Sequence, residues 1–406
     1  MSRANATHSE QQTLADHPSQ VDEPLARSEA GLRRCAGPSR LICGARGLLK
    51  AAAEPLPYLL LTALLVALLM GALAAANWHL APLSYSAAAQ ARVAAALAAG
   101  ANYAVFDLNI DTRGLRRAQI ARLARRPDVV VLGASHWQEA HADLLPGQSF
   151  YNAHVHRDYH EDLLAVVEML LRHDRLPKTL IMSIRDMTFL PEAQRTDTLW
   201  LTALPDSNAM MARLGMARPW LEIRPLERWL GLLSLSTLLD NGLRRLGAGT
   251  LPGPVEARSL PTMDVLQPEG SIRWSGAHRD RFTAERTSAE VAAAVAQRQN
   301  LGLEIDQAAV AAIDRLLALL GERGVRGVLI HPPFNPDFYR RVKDSAYGAG
   351  LLRVEATTAR LAAAHGATVV GGFDPAIAGC TAPMFIDAEH SGPACLQRLI
   401  DLVPGL

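Results

Sequence analysis

The longest apolar stretch of the chain runs from Pro57 to Trp78 (PYLLLTALLVALLMGALAAANW), and no Asp, Glu, Lys or Arg occurs between Glu54 and Arg92. At ~1.5 Å per residue, roughly 22 residues of helix cross the ~30 Å hydrocarbon layer of a bilayer. The pattern therefore predicts one transmembrane helix within residues 55–80. A buried soluble helix and a cleaved signal peptide are the alternatives, the latter because ALAAAN offers small residues to a peptidase. The segment before the apolar run is longer than a usual n-region and the run itself is longer than a usual h-region, which favours an uncleaved anchor. Residues 1–54 mix Ser, Gln, Pro, Asp and Arg without apolar periodicity and are expected to form a disordered tail.

Beyond the anchor, residues 81–126 read as a linker with membrane-proximal helices. The last of these is a basic helix (RGLRRAQIARLARR) with Leu115, Ile120 and Leu123 at roughly helical spacing. The pattern then switches to short, continuous β-branched runs: DVVVL ending in Gly133-Ala134-Ser135, Gln148 to Asn152, Thr179 to Ile184, Val325 to His331 and Ala367 to Gly372. Helical stretches lie between them at Glu161 to His173, Asp306 to Gly321 and Leu351 to His365. Strands buried on both faces and alternating with helices predict an α/β domain over 127–406, an open, mostly parallel sheet in a three-layer arrangement, with ligands beyond the carboxyl ends of its strands. Residues 190–285 carry many prolines, short helical pieces and no strong strand signal. They are expected to form a helical cap over the active-site edge. Trp200, Trp220, Trp229 and Trp274 lie in this segment, as core packing or as platforms for sugar rings.

Charge sets the topology. Arg27, Arg33, Arg34, Arg40, Arg46 and Lys50 precede the span, whereas Arg92 stands nearly alone after it. The asymmetry predicts an N-terminus inside the cell and the α/β domain across the inner membrane, in the periplasm of a two-membrane bacterium. Over the 406 residues, 41 Lys+Arg against 40 Asp+Glu leave a net charge of +1, which argues against a bulk electrostatic grip on nucleic acid. Of the four cysteines, Cys35 and Cys43 are expected to be reduced on the inner side. Cys380 and Cys395 would share an oxidising compartment with no third outer cysteine to compete, so a bridge between them is expected.

Ser135 sits at a strand end. A serine hydroxyl becomes a useful nucleophile when a base accepts its proton, and the base works best when a carboxylate fixes its tautomer. Near the C-terminus, MFIDAEH offers Asp387 and His390, three residues apart and able to face the same way on one turn. In the order Ser, Asp, His across an α/β domain, GASHW and DAEH resemble the motifs of the SGNH (GDSL-like) hydrolase superfamily. The resemblance covers about 127–400 and implies Ser135 as nucleophile, Asp387 as acid and His390 as base.

Two further family blocks match poorly. The position of the family's oxyanion-hole glycine falls near Arg157 in FYNAHVHRDYHED. Where a G-x-N-D block is expected, the chain reads SIRD, and Asp186 alone agrees. Besides the Ser135 N–H, the candidate oxyanion or substrate contacts are Asn152, Arg157 and Arg185, and His331 in HPPFNPDFY is expected to border the pocket. Divergence of this kind resembles membrane-anchored extracytoplasmic relatives that move acyl groups on glycans.

The resemblance implies serine-dependent O-acyl transfer or ester hydrolysis, most simply of acetyl, on an exopolysaccharide or cell-wall glycan, without a cofactor. A transferase would receive its acyl group from a membrane-bound O-acyltransferase partner. The alternative is an SGNH-like assembly protein of a polysaccharide export or modification complex that has lost turnover. A rival reading of the loop HVHRDYH is metal binding, since His154, His156, Asp158 and His160 nearly spell HxHxDH. The inserted Tyr159 breaks the spacing that aims such ligands at two metal ions.

Overall fold

The computed structural model describes residues 56–105, 110–195, 199–216, 231–248, 252–280 and 283–406. The tail, Cys35, Cys43, Trp220 and Trp229 lie outside the described residues. The chain divides into a unit up to Leu69 and a unit from Met70 to Leu406. In the first, the described residues are helical and belong to α1 (Leu56–Leu80). This helix, Pro57–Leu80, is long and apolar enough to cross a membrane: its most apolar 18-residue window has mean hydropathy 2.6, and no residue of that window is buried.

The second unit contains α2 (Ala87–Ala98), β1 (Asn102–Val105), α3 (Thr112–Ile120), β2 (Val129–Leu132), β3 (Phe150–Asn152), α4 (His160–Arg172), β4 (Thr179–Ser183), α5 (Leu204–Arg213) and α6 (Leu235–Ala248). These are followed by β5 (Gly253–Val255), β6 (Asp264–Leu266), β7 (Ile272–Arg273), α7 (Ala284–Arg298), α8 (Gln307–Glu322), β8 (Arg326–His331), α9 (Pro336–Val342), α10 (Ala346–His365), β9 (Thr368–Gly371) and α11 (Pro393–Asp401). Helix starts follow local chemistry. Asp111, Thr283, Asp306 and Ser345 each accept a backbone N–H of the first turn through the side chain, and α10 stops at Gly366 with φ 64°.

All five β-branched runs form strands, and they pair in parallel in the order β3-β2-β4-β8-β9. The fold is α/β with a parallel five-stranded sheet. Alternate residues of each strand enter different cores. Val130, Leu132, Leu180, Met182 and Leu329 pack with Leu164 and Val167 of α4, Ile313 and Leu316 of α8 and Val354 of α10. Val129, Val131, Ile181, Val328 and Ile330 pack with Trp137 and with Leu396, Leu399 and Ile400 of α11. Burial on both faces is why these strands read as unbroken apolar runs. The chain leaves β2 for β3 on one side and returns to β4 on the other, so the strand order reverses beside β2. Loops diverge at such a reversal and open a crevice at the carboxyl ends of the strands.

Two expectations need correction. Residues 81–126 are not helices and linker alone, and 190–285 is not a helical segment without strands. β1 pairs with β5 and β6, and β6 with β7, in an antiparallel sheet of order β5-β1-β6-β7. These strands are two to four residues long, too short to display a period-two pattern. Pro254 is tolerated because β5 is an edge strand. The small sheet docks on the large one: Asn152 N–H donates to Glu269 O at 2.7 Å and Ile272 N–H to Gln138 O at 2.7 Å.

Two arginines of the basic helix are buried. α3 buries Arg113, which grips Asp162 through two bonds of 2.6 and 2.8 Å. Arg116, fully buried, donates to His154 O, Gln119 Oε1 and Gly270 O. Trp200 and Trp274 are buried, the first beneath the Arg195 guanidinium at 4.4 Å and the second stacked on His278 at 4.8 Å. Both pack rather than present a platform.

Candidate active site

β2 delivers Ser135 to the carboxyl edge of the sheet. The strand ends at Leu132, and Ser135 opens one turn of 3-10 helix, Ser135–Trp137. Gly133 is needed at this exit, because a Cβ there would stand 2.5 Å from Ser183 Cβ and 2.8 Å from Trp137 Cδ1. Ser135 Oγ lies 2.8 Å from His390 Nε2, and His390 Nδ1 lies 2.7 Å from Asp387 Oδ2. The three residues, 255 positions apart at the extremes, form one hydrogen-bonded chain.

The turn holding Asp387 and His390 is built by its own residues. Asp387 Oδ1 accepts the N–H of Glu389 and of His390, each at 2.7 Å. Ile386 N–H donates to His390 O at 3.0 Å, and Phe385 bridges Ser391. Asn335 at the start of α9 holds the turn from outside, its N–H donating to Ala388 O at 3.0 Å and its amide to Asp387 O at 3.2 Å. The expected disulfide is present: Cys380 and Cys395, 15 residues apart, close a loop around the whole turn. Loop-closure arithmetic gives it ~3 kcal/mol, which for a domain of this size is about 4 °C in Tm. Reducing the folded protein should lower the midpoint by that amount in a thermal scan, and unreduced peptide mapping should recover the two cysteines joined. Free alkylation of both without reductant would contradict the bridge.

Electrostatics suit a proton relay. Burial opposes charge on His390, but the adjacent Asp387 carboxylate, with Glu389 behind it, holds the imidazole above its usual range. Asp387 is also desolvated, yet His390 and the two backbone N–H groups keep it below the ordinary carboxylate range. Its negative charge persists wherever His390 titrates. Acceptance of the Ser135 proton requires neutral His390, so reactivity should rise with pH through a midpoint above 6.5.

A cavity of about 590 Å³ opens beside Ser135 and His390, bordered by Arg157, Arg185, Met187 and, from α7, Ala294 and Arg298. One wall of the cavity is thus α7, immediately beyond the segment expected to cap the site. Of the candidate contacts, Arg157 and Arg185 border this cavity. Arg157 has φ 49°, the left-handed conformation that favours glycine.

Asn152 and His331 do not border the cavity, contrary to expectation. The Asn152 amide donates to Trp137 O at 2.7 Å and Ala140 O at 2.9 Å, shaping the turn after Ser135. His331 is buried, with Nδ1 2.8 Å from Ile184 O and its ring against Phe373 at 5.0 Å. A strand-end position could not distinguish a side chain turned to the cavity from one turned into the sheet.

The His-rich loop disperses its side chains. His154 Nδ1 meets Asn152 Oδ1 at 3.1 Å and Arg116 at 2.9 Å, His160 Nδ1 lies 3.2 Å from Glu161, and Asp158 faces Arg185 at 3.7 Å. Among the described residues, no group of three or more His, Cys, Asp or Glu is arranged to hold a metal ion. Sequence reasoning missed His136, Glu389, Asn335 and Arg298, all placed around the triad. The first two stand inside the quoted motifs GASHW and DAEH, so the signal was in view. Arg298 has no signal in its own helix. No protein-family model and no curated protein matches this chain.

Proposed function

We propose that the protein is a membrane-anchored, extracytoplasmic serine acyl-transfer enzyme of the SGNH-like type, acting on O-acyl groups, most simply acetyl, of an exopolysaccharide or cell-wall glycan. The observation that carries this reading is the continuous Ser135–His390–Asp387 hydrogen-bonded chain at the edge of a 590 Å³ cavity. The parallel sheet with its reversal beside β2, and helices against both faces, supports a three-layer SGNH-like architecture.

In the proposed reaction, Ser135 Oγ attacks the ester carbonyl carbon while His390 Nε2 takes its proton. Asp387 stabilises the resulting imidazolium and fixes its orientation. The oxyanion is met by the Ser135 N–H, with donors from Arg185 and the loop at Arg157. Collapse expels the alcohol, which leaves with the proton from His390, and Ser135 keeps the acyl group as an ester. Water or a sugar hydroxyl then gives its proton to His390 and attacks that ester, restoring Ser135. The chain's own residues complete this cycle without a cofactor. For net transfer the donor would come from a membrane-bound O-acyltransferase partner.

The decisive experiment is intact-mass analysis of the protein after exposure to an activated acetyl ester. One acetyl group on Ser135, absent in Ser135→Ala, is expected; no adduct would favour the assembly-protein alternative. Placement across the inner membrane has its own check. A phosphatase fused to the C-terminus should be active and a reporter that works only in the cytoplasm silent, and the opposite pattern would overturn the extracytoplasmic assignment.

A further inference from the structure

Glu389 stands between the acid and the base in the chain, yet its carboxylate turns away from both. Its N–H completes the bonding of Asp387 Oδ1. Its side chain meets Arg298 of α7, Arg185 after β4 at 3.5 Å and His136 at 3.6 Å. One carboxylate thus touches a residue from each of three segments around Ser135: the turn that carries it, the neighbouring strand end and the helix walling the cavity.

His136 gives this arrangement a direction. Its ring lies against that of His390, with centroids 5.1 Å apart and planes 22° from parallel. Neither ring nitrogen of this buried histidine makes a hydrogen bond, so the stacking and the approach of Glu389 are what orient it. Burial, above all, lowers its pKa to about 4 and keeps it uncharged beside the base.

Charge around the turn is closely matched. Arg185 and Arg298 are opposed by Glu389 and by Asp186, which also accepts the Tyr347 hydroxyl at 2.6 Å. Asp158 faces Arg185 as well, but both its oxygens lack a hydrogen bond, and burial pushes it up to about 7. Without the Glu389 charge, Arg185 and Arg298 would share Asp186, and Asp387 would be left as the carboxylate hydrogen-bonded to His390. Both burial and unpaired cations disfavour imidazolium.

We propose that Glu389 is a positioning residue for acyl transfer, seating His136 against His390 and tying α7 to the catalytic turn through Arg298. This rests on the reading of Ser135 as nucleophile.

The test uses the full chain in detergent, with the rate of Ser135 labelling by a fluorophosphonate measured across pH and Tm measured alongside. Glu389→Gln should label about tenfold more slowly at its plateau, since small displacements of a base are costly. Its pH midpoint should fall by at least ~0.5 unit, because a negative neighbour of the imidazolium has gone. Glu389→Asp keeps the charge but withdraws it by one methylene. It should hold the wild-type midpoint and label several-fold more slowly, and it stands in if the Gln variant does not fold. Wild-type rate and midpoint in Glu389→Gln, wild-type rate in Glu389→Asp, or losses that merely track the folded fraction would each overturn the proposal.

Failure of the nucleophile reading looks different, as wild-type protein that does not label or Ser135→Ala that does. The His390 midpoint, followed by NMR of the histidine-labelled chain, then decides the role of Glu389, whose removal should still lower it.

Discussion

Replacing Ser135 by Ala should reduce turnover of an activated acetyl ester by about 10⁴- to 10⁶-fold, a loss of ~5.5–8 kcal/mol of transition-state stabilisation. In the proposed reaction the hydroxyl is the atom that bonds to the acyl carbon, and its own hydrogen-bonded chain offers no substitute: the next groups are the base itself and the Asp387 carboxylate, bound to two N–H groups. Residual rate above water would come from the oxyanion donors and from binding. If Ser135 and His390, hydrogen-bonded at 2.8 Å, act as one unit as proposed, His390→Ala should cost about as much, and the double variant little more. Steady-state kinetics with an equal Tm for each variant measures this. Undiminished turnover in Ser135→Ala would place the chemistry on another group.

Asp387→Asn should lower the rate by about 10³- to 10⁴-fold with the fold retained. The Asn oxygen can still accept the N–H groups of Glu389 and His390, so the turn survives. What changes is the partner of His390 Nδ1, 2.7 Å away. An amide NH₂ placed there donates instead of accepting, which selects the tautomer with its proton on Nε2, facing Ser135, where a lone pair is needed. The same substitution removes the charge that holds His390 above its usual range. The acid limb of the rate should therefore move to lower pH even as the plateau collapses. A variant with wild-type rate and an unmoved limb would remove Asp387 from the relay.

The apolar helix, the five parallel strands, the helices between them and the Ser–Asp–His trio were legible in the sequence because each is a local signal. Length and apolarity announce α1. Strands buried on both faces have to be apolar throughout, as VVVL is. Gly133 marks a strand exit too crowded for a Cβ, and a D-x-x-H spacing lets one carboxylate reach both the backbone and the imidazole of its own turn. The disulfide followed from Cys380 and Cys395 being the two cysteines in the segment expected to lie beyond the membrane.

The small antiparallel sheet was not legible. Its strands are too short for periodicity, and β1 finds its partners about 150 positions later, at β5 and β6. The fate of each polar side chain was equally hidden. Arg113 and Arg116 look like a solvated basic face, yet they are buried because Asp162 and the carbonyls of His154 and Gly270 await them from other segments. Asn152 and Arg157 stand five positions apart on one stretch of chain, yet the first is spent on backbone carbonyls and the second borders the cavity. The sequence by itself determined the long apolar helix, the five strands of the parallel sheet and the main helices between them, since propensity and burial period act within a few residues. Tertiary structure alone decided which charges meet, which histidines coordinate no common point, and that Arg298 closes on Glu389 beside the triad. Pairing energy depends on distances of a few ångströms between groups tens to hundreds of residues apart, and the spacing of letters along the chain does not carry those distances.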